Sequence, residues 1–325
     1  MLQYMLIIVG TVIGGGFASG REIGTYFMSF GKEGYIGIFV FAVLFLILCS
    51  KISFTCRKRN LYTAEEYFEF LYGKKAGQAV MAFTAIFSFA VFCSMISASS
   101  WIGGFVFEGY ENVIRVLMVM FYFYMLSGGF GGVKDVNLVL SPILIIGICA
   151  VGIYALSGGE SSYDASEISV TKCFFSSAVY TCYNMITVVP AVIHLSRGKN
   201  IFFGNILSSA VLFLCAVLIA VIIGINFNDK MLYSVPVMKY AVEEGGILTY
   251  LIFIVLFFSM VTTGIGAGCW ALEYKNIGEK KKMVFLVCLA AFFISFTDFS
   301  VFVDNMYFVF GIAAMFQMIW VLIRI

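Results

Sequence analysis

Apolar residues in this chain come in long runs, set apart by short polar clusters, rather than in the alternation of a half-buried sheet. A helix that crosses a membrane needs about 20 mostly apolar residues. Ten stretches meet that measure, at approximately 1–29, 34–55, 76–104, 111–128, 135–157, 169–195, 200–227, 247–272, 281–297 and 300–324. The pattern predicts an all-α integral membrane protein of about ten transmembrane helices. The first stretch is too long and too rich in glycine for one straight helix, and the ninth is short. Between stretches seven and eight, Pro236 followed by Val237-Met238-Lys239-Tyr240-Ala241-Val242 predicts a short helix with proline in its first turn, ended by Gly245-Gly246. That helix reads either as a lid over an outer vestibule or as a surface helix on the headgroups.

Composition sharpens the class. Of 325 residues, 62% are hydrophobic and 12% charged, and the mean hydropathy is +1.02. A water-soluble globule of this size has no way to hide so much apolar surface. A net charge of +2 without a long basic stretch argues against a nucleic-acid partner. The nine cysteines are scattered with no CxxC, and His194 is the only histidine. Zinc sites of paired ligands and histidine-based triads are therefore out of reach, and no enzyme or resident cofactor is expected. The first run lacks a basic leading segment and a cleavage pattern, so it reads as a retained membrane segment rather than a signal peptide.

Charge predicts orientation. With both ends on one side, that side gathers Lys51, Arg57, Lys58, Arg59, Lys74, Lys75, Lys134, Arg197, Lys199, Lys275, Lys280, Lys281, Lys282 and Arg324. The other side keeps Arg21, Lys32, Arg115, Lys172, Lys230 and Lys239, and much of the acid, including Glu108, Glu111, Glu160, Asp164, Glu167, Glu243 and Glu244. The excess of positive charge places both termini in the cytoplasm, in a multi-pass protein of the cell membrane. Five stretches fall in 1–157 and five in 158–325. An odd number per half inserts the second half upside down relative to the first, as in inverted-repeat transporters.

The run Gly10-Thr11-Val12-Ile13-Gly14-Gly15-Gly16-Phe17-Ala18-Ser19-Gly20 carries the first candidate chemistry. Glycine costs a helix interior about 1 kcal/mol each, so three in succession predict an interruption. Backbone groups freed inside a membrane need partners, which a bound ion and a bound solute supply. The half-helix after the gap aims its N-terminus at it, and Gly14, Gly15 and Gly16 suit a carboxylate there. The competing reading is close helix packing through the small-xxx-small pairs Gly10/Gly14 and Gly16/Gly20. The order lacks GxGxxG and follows a membrane helix, which argues against a nucleotide loop.

Stretch six holds Tyr180-Thr181-Cys182-Tyr183-Asn184 and then Pro190, and predicts a second local break around Cys182–Asn184. There Tyr180 and Tyr183 wall a substrate pocket that also takes in Cys182, while Asn184 and freed carbonyls meet the solute amine. A hydrogen bond from Asn184 that only joins helices is the alternative. In stretch eight, Ser259, Thr262 and Thr263 stand at i, i+3 and i+4 and share one face. Uncharged oxygens from that face, added to carbonyls freed by the first break, suit a hard monovalent cation. Threonines bonded back to their own helix are the competing reading. Ser88 in stretch three is a further pocket candidate.

The segment from Gly10 through Arg21-Glu22-Ile23 resembles the first-helix signature of the YkvI-type bacterial membrane proteins. These are related to the amino acid–polyamine–cation superfamily, and the segment is similar to the broken first helix of LeuT-fold symporters. The resemblance implies a 5+5 inverted repeat with helices one and six broken. It implies a sodium site made of the carbonyls of Gly10, Ile13 and Ser259 and the hydroxyls of Thr262 and Thr263. Phe17 stands where the family's other sodium site has an asparagine, so one sodium is expected. Proton-coupled relatives carry a lysine in the fifth span, and Val136 to Leu156 has none. Relatives also close the outer pathway with an arginine–aspartate pair. Arg21 and Asp304 are the counterparts here, one residue out of register, with Glu22 beside them. The alternative is that Arg21 and Glu22 neutralise each other or snorkel.

These readings converge on a secondary transporter of a small zwitterionic solute, a neutral amino acid driven by sodium. Its partners are the solute, sodium and the lipid bilayer. The alternative is an amino-acid-sensing receptor subunit without net transport, resembling spore-germinant receptor subunits. A channel is disfavoured by the lack of a charged ring or filter motif.

Overall fold

The computed structural model describes residues 1–128, 131–156, 169–225, 231, 233–273 and 281–324. The repeat boundary expected at 157/158, and the loop charges Glu160, Asp164, Glu167, Lys230, Lys275 and Lys280, lie outside them. In chain order the helices are α1 (Leu2–Val12), α2 (Gly15–Ala18), α3 (Arg21–Tyr26), a 3-10 segment (Met28–Glu33), α4 (Gly34–Arg59), α5 (Ala64–Tyr72), α6 (Lys74–Val106), α7 (Glu111–Ser127), α8 (Gly131–Leu156), α9 (Val170–Leu195) and α10 (Ile201–Gly224). They continue with α11 (Pro236–Glu244), α12 (Ile247–Glu273), α13 (Lys281–Ile294), α14 (Phe299–Val301), a π-turn (Phe302–Met306) and α15 (Tyr307–Arg324).

Seven spans among the described residues are long and apolar enough to cross a membrane, which makes this a multi-pass membrane protein: Met28–Arg59, Lys74–Val106, Leu138–Leu156, Val170–Leu195, Ile201–Gly224, Ile247–Leu272 and Phe299–Arg324. The helices α1, α7 and α13 are shorter, with 11, 17 and 14 residues. The first predicted stretch is divided into three helical pieces. The expected break in stretch six is absent, because α9 runs unbroken from Val170 to Leu195 through Cys182–Asn184 and past Pro190.

The polar side chains along α9 turn back onto its own carbonyls. Ser177 Oγ donates to Cys173 O, Thr181 Oγ1 to Ser177 O, Asn184 Nδ2 to Tyr180 O and Thr187 Oγ1 to Asn184 O, at 2.7–3.0 Å. These are bonds of the helix to itself; none of the four reaches the Ile186 carbonyl that faces Pro190, and α9 passes that single missing N–H without a break.

One helix went unpredicted, since a ruler of membrane-span length passes over it. The amphipathic α5 has Thr63 as N-cap in a reciprocal capping box with Glu66. Just before it, α4 ends on Arg57-Lys58-Arg59 with Asn60 left-handed at its C-cap, so positive charge meets the negative end of the helix dipole.

Two packed groups make the body. In one, α1, α4, α9 and α10 pack together; in the other, α6, α7, α12 and α13 do. The helix α8 touches α1, α10 and α12, and α15 lies along α9. Near the termini, Tyr4 donates to Asn205 Oδ1 at 2.5 Å, and Asn205 Nδ2 donates to Ser50 and Ser53 at 3.3 and 3.2 Å. This buried network ties α1, α4 and α10 into one unit. Lys51 Nζ reaches Leu322 O at 2.8 Å, which brings the C-terminal helix to the same end.

Candidate functional site

The break in the first helix is the core of the site. α1 stops at Val12; Ile13 leaves helical geometry and Gly14 is extended (φ −91°, ψ −176°). The Gly14 N–H turns to Val12 O at 2.7 Å, away from the Gly10 carbonyl that a continuous helix would give it. Bonding resumes at Ala18 N–H to Gly14 O (2.9 Å). A close approach also demands glycine here, since a Cβ on Gly14 would lie 2.6 Å from Thr263 Oγ1. The structure therefore brings the Gly14 turn of the first helix to Thr263 on α12.

The three hydroxyls on α12 differ. Ser259 Oγ donates to Leu256 O and Thr262 Oγ1 to Ser259 O, at 2.7 and 2.9 Å. Both follow the back-bonding alternative. Thr263 Oγ1 is buried and has no hydrogen-bond partner. A buried hydroxyl without a partner costs about 1–3 kcal/mol, and this one faces the helix break. Uncharged oxygens at that place fit a sodium ion in kind.

A second joint follows. Gly20 is left-handed (φ +82°), a conformation that glycine adopts without penalty, and it lets α3 leave α2 at an angle. Ser19 stitches the joint: its Oγ donates to Gly16 O (2.8 Å) and accepts from Arg21 N–H (3.2 Å), while its carbonyl accepts from Val237 N–H of α11 (2.9 Å). The predicted helix after Pro236 is thus α11, and its first turn is anchored on the broken first helix. That contact fits the lid rather than a helix lying free on the headgroups.

Arg21 and Asp304 meet. The Arg21 guanidinium makes a two-pronged pair with the Asp304 carboxylate, through Nε at 3.1 Å and Nη2 to Oδ2. Thr25 Oγ1 also donates to Asp304 (2.9 Å), and Arg21 Nη1 donates to Met231 O (2.6 Å) and Tyr233 O (3.3 Å). Asp304 sits in the π-turn.

Glu22 is not part of this pair. It turns inward and is 5% exposed. Tyr180 donates to Glu22 Oε2 at 3.3 Å. A Cβ on Gly16 would run into the Glu22 carboxylate, with Cδ only 2.6 Å away. The reading in which Arg21 and Glu22 neutralise each other is overturned, because Arg21 is taken up by Asp304 on the opposite side.

Around Glu22 stands a tyrosine cluster. The rings of Tyr26, Tyr180 and Tyr183 touch one another, with centroids 5.2–5.5 Å apart, and Tyr307 lies 5.4 Å from Tyr183. All four are buried. The hydroxyls of Tyr26 and Tyr183 have no hydrogen-bond partner. That of Tyr307 shares a hydrogen with Ser94 Oγ at 2.5 Å. Sequence reasoning found Tyr180 and Tyr183 and missed Tyr26 and Tyr307. The available signal was spacing, since Tyr26 is i+4 from Glu22 and Tyr307 is i+3 from Asp304.

The other candidates are placed as follows. Asn184 is spent on Tyr180 O, in the role of a helix-internal bond. Cys182 is buried, with a free thiol. Ser88 is fully buried on α6 and its hydroxyl has no partner. Gly15 packs under Met95 and Met260, where a Cβ would come within 2.8 and 2.9 Å.

Comparison with known proteins adds to the geometry. No protein-family model matches the chain. The "uncharacterized membrane protein YkvI" of Bacillus subtilis (strain 168) is 26% identical over 324 residues, 95% of this chain and 91% of that one. The "uncharacterized protein YyaD" of the same strain is 23% identical over 327 residues, 92% of this chain and 88% of that one. Among solved structures, that of MhsT in complex with L-phenylalanine matches with a TM-score of 0.69 at 14% identity, over 97% of this chain and 88% of that one. That likeness shows a LeuT-type fold.

Proposed function

From its kinship with the YkvI-type membrane proteins, and its LeuT-type fold, we propose that the chain is a secondary transporter working by alternating access. The solute is small and zwitterionic, a neutral amino acid, and sodium drives it. The observation that carries this reading is the interruption at Ile13–Gly14 facing the unpartnered Thr263 hydroxyl. Gly15 and Gly16 offer backbone N–H groups to the solute carboxylate, while the Gly14 N–H, expected to join them, is taken by Val12 O; Tyr180 and Tyr183 wall the pocket. The carbonyls of Gly10, Ile13 and Ser259, with the hydroxyls of Thr262 and Thr263, hold sodium. For this, Thr262 gives up its own-helix bond. Arg21 and Asp304 latch the outer pathway under α11.

The shorter α1 (with α2 and α3), α7 and α13 cross the membrane beside the seven long spans. That completes ten crossings as two inverted halves, 1–157 and 158–325. The group α1, α4, α9, α10 rocks against α6, α7, α12, α13. The basic residues of the α4 end and the α13 start share the end of the molecule that carries both termini, and that end faces the cytoplasm.

The test is uptake of a mixed amino-acid pool into proteoliposomes, with and without an inward sodium gradient, read by mass spectrometry. Sodium-dependent accumulation of one or a few species is expected. Thr263→Val keeps the shape and removes the oxygen, so it lowers the sodium affinity. If uptake is absent under every gradient, the receptor reading takes its place. A cysteine at Lys58 is expected to stay unlabelled from outside intact cells. The native background is low, because eight of the nine cysteines are buried and Cys149 is half-buried.

A further inference from the structure

The charges around the first helix do not balance. Arg21 is paired with Asp304, and Glu22, its sequence neighbour, has no ion-pair partner among the described residues. Yet Glu22 is the more deeply placed of the two acids, 5% exposed against a side chain 31% exposed for Asp304. A carboxylate taken out of water is costly unless a cation accompanies it, and acids inside a membrane protein usually mark the path of a solute or ion. The groups beside it are tyrosines. Tyr180 donates to it, and the rings of Tyr26 and Tyr183 pack against that of Tyr180. Two of those hydroxyls, on Tyr26 and Tyr183, are buried without partners. Ring faces attract cations, most strongly where water is excluded. A carboxylate among tyrosine faces and spare hydroxyls is a receptor for an ammonium group.

We propose that Glu22, with Tyr26, Tyr180 and Tyr183, binds the ammonium group of the solute, so that the solute class is organic amines in which the ammonium is required and a carboxylate is dispensable. The proposal rests on the transport reading for the site's being a solute site, and it reassigns the amine. Asn184 was expected to meet it; its Nδ2 donates to Tyr180 O, and Glu22 brings the negative charge that an amide lacks. Glu22 lies against Gly16, within reach of the helix break, so a zwitterion can set its amine on Glu22 and its carboxylate toward the start of α2 at Gly15.

Equilibrium binding to the detergent-purified full chain tests this without any gradient. Three matched sets are titrated by calorimetry: L-leucine, isopentylamine and 4-methylpentanoate; L-phenylalanine, phenethylamine and 3-phenylpropanoate; and L-alanine, ethylamine and propanoate. The expected result is that within at least one set the amino acid and the amine bind and the carboxylic acid does not. In the binding set, Glu22→Gln should weaken the amine about tenfold to a hundredfold, as for the loss of one charge-assisted contact. Tyr183→Phe should weaken it less. Acids that bind as well as amines would overturn the proposal, as would no binding by any amine, or unchanged amine affinity in Glu22→Gln. If Glu22→Gln does not fold, the acid-versus-amine comparison on the unaltered chain decides alone. In the overturned cases Glu22 is a neutral acid that needs no cation. Failure of the transport reading shows separately, as amines that bind in detergent but are not accumulated by proteoliposomes under a sodium gradient.

Discussion

The first helix and α9 pack against each other, and both carry helix-breaking residues in mid-run, but only the first comes apart. The glycines at 14–16 bring no side-chain groups to the backbone they loosen. In α9, four polar side chains from Ser177 to Thr187 each return a bond to the carbonyl three or four residues back. A single proline removes one N–H and leaves α9 helical, whereas three successive glycines loosen the backbone of the first helix, where something across the gap meets it. For the first helix that something is the Thr263 face of α12.

The strongest test of this contrast is to fill the break. Gly14→Val places atoms on Thr263, which costs about 1–3 kcal/mol by overpacking and should abolish uptake. A thermal melt and the liposome assay check both. Next in size is Arg21→Ala, which leaves Asp304 without its cation and should cost about 1–3 kcal/mol. The melt reads that loss, and the outer pathway should become reactive to a cysteine reagent placed at Thr25. Asn184→Ala removes one helix-internal bond for about 1 kcal/mol. Hydrogen exchange should find α9 still continuous over residues 181–188. An opened segment there would break the contrast, because one side chain would then have been holding the helix shut.

The smallest effect is expected far from the break, at α5. Thr63→Ala removes its cap and should cost about 0.5–1 kcal/mol, local to α5. Backbone N–H groups of Tyr62 and Thr63 hold the Glu66 carboxylate below its ordinary range. Because this value is lowered on folding, the stabilisation is complete above the ordinary carboxylate range. It is lost as the pH falls through the lowered value. Exchange protection of α5 should decline in acid accordingly.

Much of the fold was readable in the sequence because membrane spans declare themselves by length and apolarity. The helix after Pro236 and its glycine stop also followed from local rules. The break at Gly14 was legible because glycine composition is a backbone property. What escaped was whatever depends on partners distant in sequence. The direction of Thr181 and Asn184, back onto the carbonyls of Ser177 and Tyr180, is set by the packing around α9. The direction of Glu22, away from Arg21, depends on Tyr180 standing 158 positions later. Tyr26 and Tyr307 looked like ordinary aromatics until α3, α9 and α15 were brought together.

The hydrogen bond from Val237 N–H to Ser19 O has a consequence in time. It joins the outer hairpin to the joint between α2 and α3, so the hairpin cannot lift while that amide stays protected. Deuterium uptake at Val237 is then a clock for the outer path. Its protection factor gives the free energy of opening, and ligand or sodium that holds the path shut must slow the exchange in proportion.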